Sequence, residues 1–80
     1  MIRIEKETRL ATADVLSRAS AFFGKSGLGL EEGAANPCCA SFEGGGGYVL
    51  VSVVEEPKRR AVTVEAREWE HQARQFLEKV

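Results

Sequence analysis

The first ten residues alternate between hydrophobic and polar side chains. One side of residues 2–10 is hydrophobic apart from an interrupting lysine, Lys6, and the other side is charged. The positions on the hydrophobic side are Ile2, Ile4, Thr8 and Leu10. A period of two residues with one polar side predicts a strand that is buried on one face.

Helical spacing replaces this alternation in residues 13–23. Hydrophobic side chains recur three and four positions apart, at Val15, Leu16, Ala19, Phe22 and Phe23. This spacing places them along one side of a helix. We expect the Thr12 hydroxyl to cap the first turn. Gly24 or Gly27 is expected to end the helix in a left-handed conformation.

The middle of the chain predicts an antiparallel meander of short strands. The predicted strands are residues 28–32, 38–43, 48–54 and 60–66. Residues 33–37 predict a loop, because Pro37 cannot donate to a sheet ladder. The four glycines at 44–47 predict a tight hairpin turn and not a phosphate-binding loop, because they lead into a strand and tolerate positive φ. Residues 55–58 predict the next turn.

Helical spacing returns in residues 69–80. The hydrophobic stripe consists of Trp69, Ala73, Phe76, Leu77 and Val80. On the polar side, Glu70, Arg74 and Glu78 are four residues apart, which favours ion pairs along the helix. The pattern predicts an amphipathic helix that packs on the sheet.

Taken together, these elements predict a single α+β domain over residues 1–80. The expected order is β-α-β-β-β-β-α, with an antiparallel curved sheet of about five strands and both helices on one face. A chain of 80 residues is near the lower limit for a self-sufficient hydrophobic core.

This element order resembles that of TBP-like and helix-grip domains, in which a curved antiparallel sheet wraps against a long C-terminal helix. The resemblance is in topology and depends on segments such as 48–54 and 69–80. The chain also resembles a family of short bacterial proteins whose function is not established. The helix-grip resemblance implies that a small apolar ligand could bind between the C-terminal helix and the sheet. Its lining candidates are Phe22, Phe42, Trp69 and Phe76, which otherwise belong to the core.

Charge and composition narrow the choice of partners. The chain has 12 acidic and 11 basic side chains and a net charge of −1, whereas a nucleic-acid surface is typically basic. The basic cluster at 58–60 follows Glu55 and Glu56, which predicts local neutralisation. No apolar run is long enough for a membrane span or a signal peptide, so we expect a cytoplasmic protein with no nucleic-acid or membrane partner.

Cys38, Cys39 and His71 are the residues with the clearest chemical potential. Neighbouring side chains in a strand point to opposite faces, so we expect one buried and one half-exposed thiol that do not converge. We therefore predict no metal site, no cofactor and no assigned catalytic residue. His71 is expected on the polar surface of the last helix. The alternative is a thiol-dependent enzyme that uses Cys38 or Cys39 with His71.

The hydrophobic strand at 48–54 suggests association. If its odd-numbered valines face the helices, then Tyr48, Leu50 and Val54 face the other side of the sheet. An outward apolar patch on a small domain favours a partner surface, most commonly that of a homodimer. The alternative is that sheet curvature or the 33–37 loop covers these residues. We expect a non-catalytic protein that binds itself, another protein or a small apolar ligand.

Overall fold

The computed structural model describes residues 1–33 and 36–80. Within this part of the chain there are five strands and two helices. They are β1 (Ile2–Thr8), α1 (Thr12–Phe23), β2 (Glu31–Glu32), β3 (Cys39–Gly44), β4 (Gly47–Glu56), β5 (Arg59–Arg67) and α2 (Glu70–Leu77). The predicted α+β class and element order are confirmed. The predicted loop at 33–37 includes residues 34 and 35, which lie outside the described residues.

The five strands form one antiparallel sheet in the order β1-β5-β4-β3-β2. The first strand pairs with the last, with Ile4 opposite Val64. Because α1 carries the chain from β1 to the far edge, β2 to β5 return across the sheet as a meander. The predicted meander is therefore confirmed, and β1 closes it at the second edge.

Both helices pack on one face of the sheet, as the element order predicts. α1 lies against β3 and β4, and α2 lies against β5 and β1. Val49, Val51 and Val53 of β4 face them and are buried, which confirms the predicted alternation. The centre of the core is aromatic: the ring of Phe23 lies 5.5 Å from that of Phe42 and 5.3 Å from that of Phe76.

The glycine run forms the β3–β4 hairpin, as predicted. Gly45 and Gly46 both have positive φ, at 58° and 81°, and occupy the two-residue turn between the paired Gly44 and Gly47. This is the geometry of a type I′ turn, which matches the twist of the strands. The Trp69 indole packs over Gly45, and its Nε1–H donates to the Gly44 carbonyl at 2.8 Å.

The expected capping of α1 is wrong at both ends. The helix begins at Thr12, and Ala11 occupies the cap position without a side-chain hydrogen bond. Thr12 is already the first helical residue and so lies past the cap position, and its hydroxyl donates to Glu55 at 2.6 Å. Gly24 has a φ of −75°, so it is not left-handed; a Cβ at this position would overlap the Ser20 carbonyl. The positive-φ glycine after α1 is Gly29.

The predicted stripe of α2 is confirmed, although the helix itself is shorter than 69–80. Ala73, Phe76 and Leu77 are buried, and Trp69 and Val80 pack against the core from just outside the helix ends. Within the described residues, α1 and α2 are not long and apolar enough to cross a membrane.

The Lys6 that interrupts the hydrophobic side of β1 caps the end of α2. Its Nζ donates to the Leu77 carbonyl at 2.6 Å, and the Arg18 guanidinium donates to the Lys79 carbonyl at 3.1 Å. Cations are favourable here because the carbonyls at a helix C-terminus are unpaired and partly negative. The lysine is therefore part of the packing between β1 and α2.

The expected ion pairs along α2 are replaced by a contact with the chain start. In the part of the chain that the structure describes, Glu70 pairs with the Met1 ammonium at 3.1 Å and not with Arg74. The hydrogen bond from this ammonium, together with backbone N–H groups at the helix start, lowers the pKa of Glu70. β1 begins next to this end of α2, a proximity that helical spacing alone does not reveal.

Candidate functional site

The face of the sheet opposite the helices, called the outer face below, carries the predicted association residues. Tyr48, Leu50 and Val54 all lie on this face, as predicted from the alternation of β4. Tyr48 and Leu50 are half-buried, and the Val54 side chain is 51 % exposed. The Tyr48 hydroxyl donates to Met1 Sδ at 3.2 Å, so the chain start covers part of it. The apolar area open to solvent is centred on Leu50 and Val54.

Strand register determines what surrounds this apolar area. Leu50 lies opposite Glu65, which in turn lies opposite Arg3 of β1. Ser52 lies two residues after Leu50 in β4, and Thr63 and Glu5 lie beside it on the neighbouring strands, which gives a second row across the sheet. The third row places Val54 beside Ala61 and Glu7. The outer face therefore changes from apolar on β4 to charged on β1, a gradient that is typical of an interface centre and its rim.

The two cysteines lie in contact at the start of β3. Their Sγ atoms are 2.7 Å apart, and both cysteines are free thiols. The prediction that they point apart is wrong because Cys38 lies in a bend before the strand, where strand alternation does not apply. Cys38 is exposed and Cys39 half-buried, so the expectation of one core thiol is also wrong.

Asn36 orients the thiol pair, a role that the sequence analysis missed. Its Oδ1 accepts hydrogen bonds from the Cys38 backbone N–H at 3.0 Å and from Cys38 Sγ at 3.1 Å. An asparagine two residues before the bonded N–H forms an Asx turn, and the sequence Asn-Pro-Cys-Cys contains this signal. The asparagine therefore helps to hold the bend that brings the sulfurs together.

Contact with Cys39 raises the pKa of Cys38. The hydrogen bond between the two sulfurs is the largest cause, followed by partial desolvation and by repulsion from a Cys39 thiolate. The hydrogen bond from the backbone N–H of Cys38 acts in the opposite direction.

His71 lies at the other end of the sheet from the thiols. Trp69, two residues before His71, hydrogen-bonds to Gly44 at the end of β3. Cys39 is the first residue of the same strand. Five residue steps along a strand span about 17 Å. His71 is exposed on α2, as predicted, and the structure does not bring it to Cys38 or Cys39.

The aromatic residues predicted as ligand contacts fill the space between the helices and the sheet. Phe42 and Phe76 are fully buried, and each packs against Phe23. Phe22 stacks edge-on with Phe23, at 4.9 Å between ring centres. Trp69 covers the hairpin. These four candidates contribute to the core through ring-to-ring or ring-to-turn contacts.

The basic cluster at 58–60 is neutralised locally, as predicted. Arg59 lies 3.0 Å from Glu56, and Arg60 lies 3.1 Å from Glu55. The Glu56 hydrogen bond and charge raise the pKa of Arg59. These pairs span the β4–β5 turn. The two arginines of the cluster therefore stabilise their own hairpin.

No family model matches this chain, and the searches of curated proteins and of solved structures also found no match.

Proposed function

We propose that this protein acts by self-association, with the outer face of the sheet packed against the same face of a second copy. The observation that carries the proposal is the apolar area around Leu50 and Val54 on the face away from the helices. Val54 is 51 % exposed there, whereas the three valines that alternate with the outer residues of the same strand are buried. Burying such a patch against a partner would remove apolar surface from water.

One row of residues across the outer face could serve as the twofold axis of such a dimer. Leu50 and Val54 are each two positions from Ser52, and Ser52 forms a row with Thr63 and Glu5. A twofold axis along this row would place Leu50 of one copy on Val54 of the other. This apolar contact would then form twice, which is the defining property of a symmetric dimer interface.

The same axis matches the charges of β1. Arg3 and Glu7 are each two positions from Glu5, so Arg3 of one copy would face Glu7 of the other. The axis also brings the two Glu5 side chains together, which is unfavourable. Arg59, whose Nη2 lies 3.7 Å from Glu5, offsets this repulsion within each copy.

The size of the molecule sets how much of the outer face such a dimer would use. The molecule measures 37 × 22 × 18 Å, and a stable interface takes about 800 Å² from each partner, so the dimer would bury most of its broad face. The proposal includes a cytoplasmic location, which agrees with the free thiols at Cys38 and Cys39.

Sedimentation equilibrium of the purified chain tests the proposal. We expect a dimer for the wild type and a monomer for Val54→Lys, because the dimer would bury the introduced ammonium. Leu50→Lys should act in the same way. The matched control is Leu28→Lys, which also replaces a partly exposed leucine, at 39 % exposure, but lies outside the sheet. The control should remain dimeric.

A charge exchange tests the proposed axis. Arg3→Glu should weaken the dimer by placing two acidic groups together, and Glu7→Arg should weaken it by placing two basic groups together. The double variant restores opposite charges across the axis and should recover most of the affinity. A wild-type chain that is monomeric at high concentration would overturn the proposal. Dimerisation that Val54→Lys leaves unchanged would place the interface elsewhere and overturn it too.

A further inference from the structure

The contacting thiols lie at the β3 edge of the outer face, where Cys39 is opposite Ser52 and Cys38 precedes the strand. Cys38 lies in the bend before β3 and Cys39 is the first residue of the strand, and the Cys38 carbonyl accepts from the Val53 backbone N–H at 2.9 Å. Cys39 and Asn36 also line a cleft of about 330 Å³ between α1 and the β2–β3 edge. The pair is therefore anchored to the sheet and open to a small solute.

We propose that Cys38 and Cys39 form a reversible two-electron redox site that a hydroperoxide oxidises to a disulfide between the neighbouring residues. A reactive cysteine that is accessible and lies beside a resolving cysteine is the arrangement found in thiol redox sites. At 2.7 Å, the second sulfur is already in contact with the first. The resolving step therefore requires no movement of a distant loop.

The geometry assigns a different role to each sulfur. Cys39 lines the cleft, so its sulfur is placed to attack a hydroperoxide there as the thiolate. It takes one peroxide oxygen, which breaks the O–O bond, gives Cys39 sulfenic acid and releases an alkoxide or hydroxide that takes up a proton. Cys38 sulfur then attacks the sulfenic sulfur, losing its proton as the hydroxyl leaves as water. In total, two thiols and one hydroperoxide give one disulfide, one alcohol or water molecule, and one further water.

The resulting disulfide should be easy to reduce. Neighbouring Cα atoms are about 3.8 Å apart across a trans peptide, which is shorter than the roughly 4.4–6.8 Å of ordinary disulfides. Strained, exposed disulfides have the more oxidising potentials that are typical of labile and regulatory bonds. A thiol such as glutathione would then attack one sulfur and release the other, and a second glutathione would complete the reduction and leave as oxidised glutathione.

Stoichiometric hydrogen peroxide added to the full chain tests this proposal. For the wild type we expect loss of both thiols, an intact mass lower by two hydrogen atoms, and full recovery with glutathione. Cys38→Ser should instead accumulate Cys39 sulfenic acid, which dimedone traps. Cys39→Ser should lose its thiol about tenfold more slowly than the wild type, because the attacking thiolate is missing.

The matched control is the double variant Cys38→Ser, Ser26→Cys. It keeps two thiols in the chain, but the new one lies in the exposed loop after α1, away from Cys39. This control should not form the mass lower by two hydrogen atoms within one chain. The proposal fails if the wild type gains oxygen atoms without closing the disulfide, links two chains, or oxidises no faster than the control. Sedimentation of Cys38→Ser reports association separately, so either proposal can fail without the other.

Discussion

Glu55 joins the start of α1 to the β4–β5 hairpin. Its Oε1 accepts hydrogen bonds from the Thr12 hydroxyl at 2.6 Å and from Arg60 Nε at 3.1 Å. Arg60 also donates to the Leu10 carbonyl at 2.7 Å, so the same network holds the chain just before the helix. The hydrogen bonds from Thr12 and Arg60, and the charge of Arg60, lower the pKa of Glu55 below its ordinary value of 4.5.

This lowered pKa predicts how stability changes with pH. A carboxylate whose pKa is lower in the folded state stabilises the protein above its unfolded pKa, and this contribution is lost as the pH falls through the folded pKa. Glu55→Gln should therefore lower the free energy of unfolding at neutral pH. The difference from the wild type should begin to shrink as the pH falls below about 4.5 and vanish only below the lowered pKa of the folded state, where the Glu55 carboxyl is protonated in both the folded and the unfolded chain.

Urea unfolding of both proteins at neutral and acidic pH measures the effect. Glu43→Gln, at an exposed position on the outer face, is the control and should change stability little at either pH. A difference between wild type and Glu55→Gln that stays constant across the acidic range would show that the carboxylate charge is not what stabilises this junction.

Among the secondary-structure elements, the β3–β4 hairpin depends on α2 as well as on its own turn. Gly45 and Gly46 both need positive φ, but their surroundings differ. A Cβ at Gly45 would lie 2.9 Å from the Trp69 ring, whereas a Cβ at Gly46 would meet no atom within 4 Å. The turn chemistry and the tertiary contact can therefore be separated by substitution.

Asparagine provides the test, because it tolerates the left-handed conformation better than other side chains. Gly46→Asn should cost up to about 1 kcal/mol, the strain of a positive φ without a clash. Gly45→Asn should cost about 1–3 kcal/mol, since Trp69 has to move. Thermal unfolding measures the stability, and Trp69 fluorescence reports the displacement. Equal effects at the two positions would contradict the packing of Trp69 on the turn.

The whole molecule has a small core, with three phenylalanines among mostly valine and alanine side chains. A domain of this length buries only roughly 60 % of the surface that its unfolded chain exposes. At roughly 0.05–0.15 kcal/mol per residue, its stability is on the order of 4–12 kcal/mol. Dimerisation through the outer face would add a meaningful share of this total, because it links folding to association.

This linkage predicts that the melting temperature depends on protein concentration. If the outer face forms the dimer, raising the concentration a hundredfold should raise the wild-type Tm by several degrees, because the dimer unfolds to two chains. Differential scanning calorimetry of the wild type and Val54→Lys measures this dependence. The variant should show one Tm at all concentrations. A wild-type Tm independent of concentration would indicate that the folded chain is a monomer.

The sequence by itself determined the elements and their faces. Alternation of period two identified β4 and placed Val54 outward, and helical spacing identified the buried stripe of α2. The glycine run determined the hairpin because positive φ is a local requirement. Each of these properties depends on residues that are close together in the chain, so a single sequence contains the whole signal.

Only the tertiary structure decided the contacts between distant segments. It placed Lys6 beside Leu77 at the end of α2, which is 71 positions later in the chain. It also gave the Thr12 hydroxyl Glu55 as its partner, where the sequence predicted a helix cap. It also brought the sulfurs of Cys38 and Cys39 together, because a bend replaces the strand geometry that would separate them. These arrangements follow from strand order, register and loop geometry, which are set by packing across the whole chain and are not contained in local periodicity.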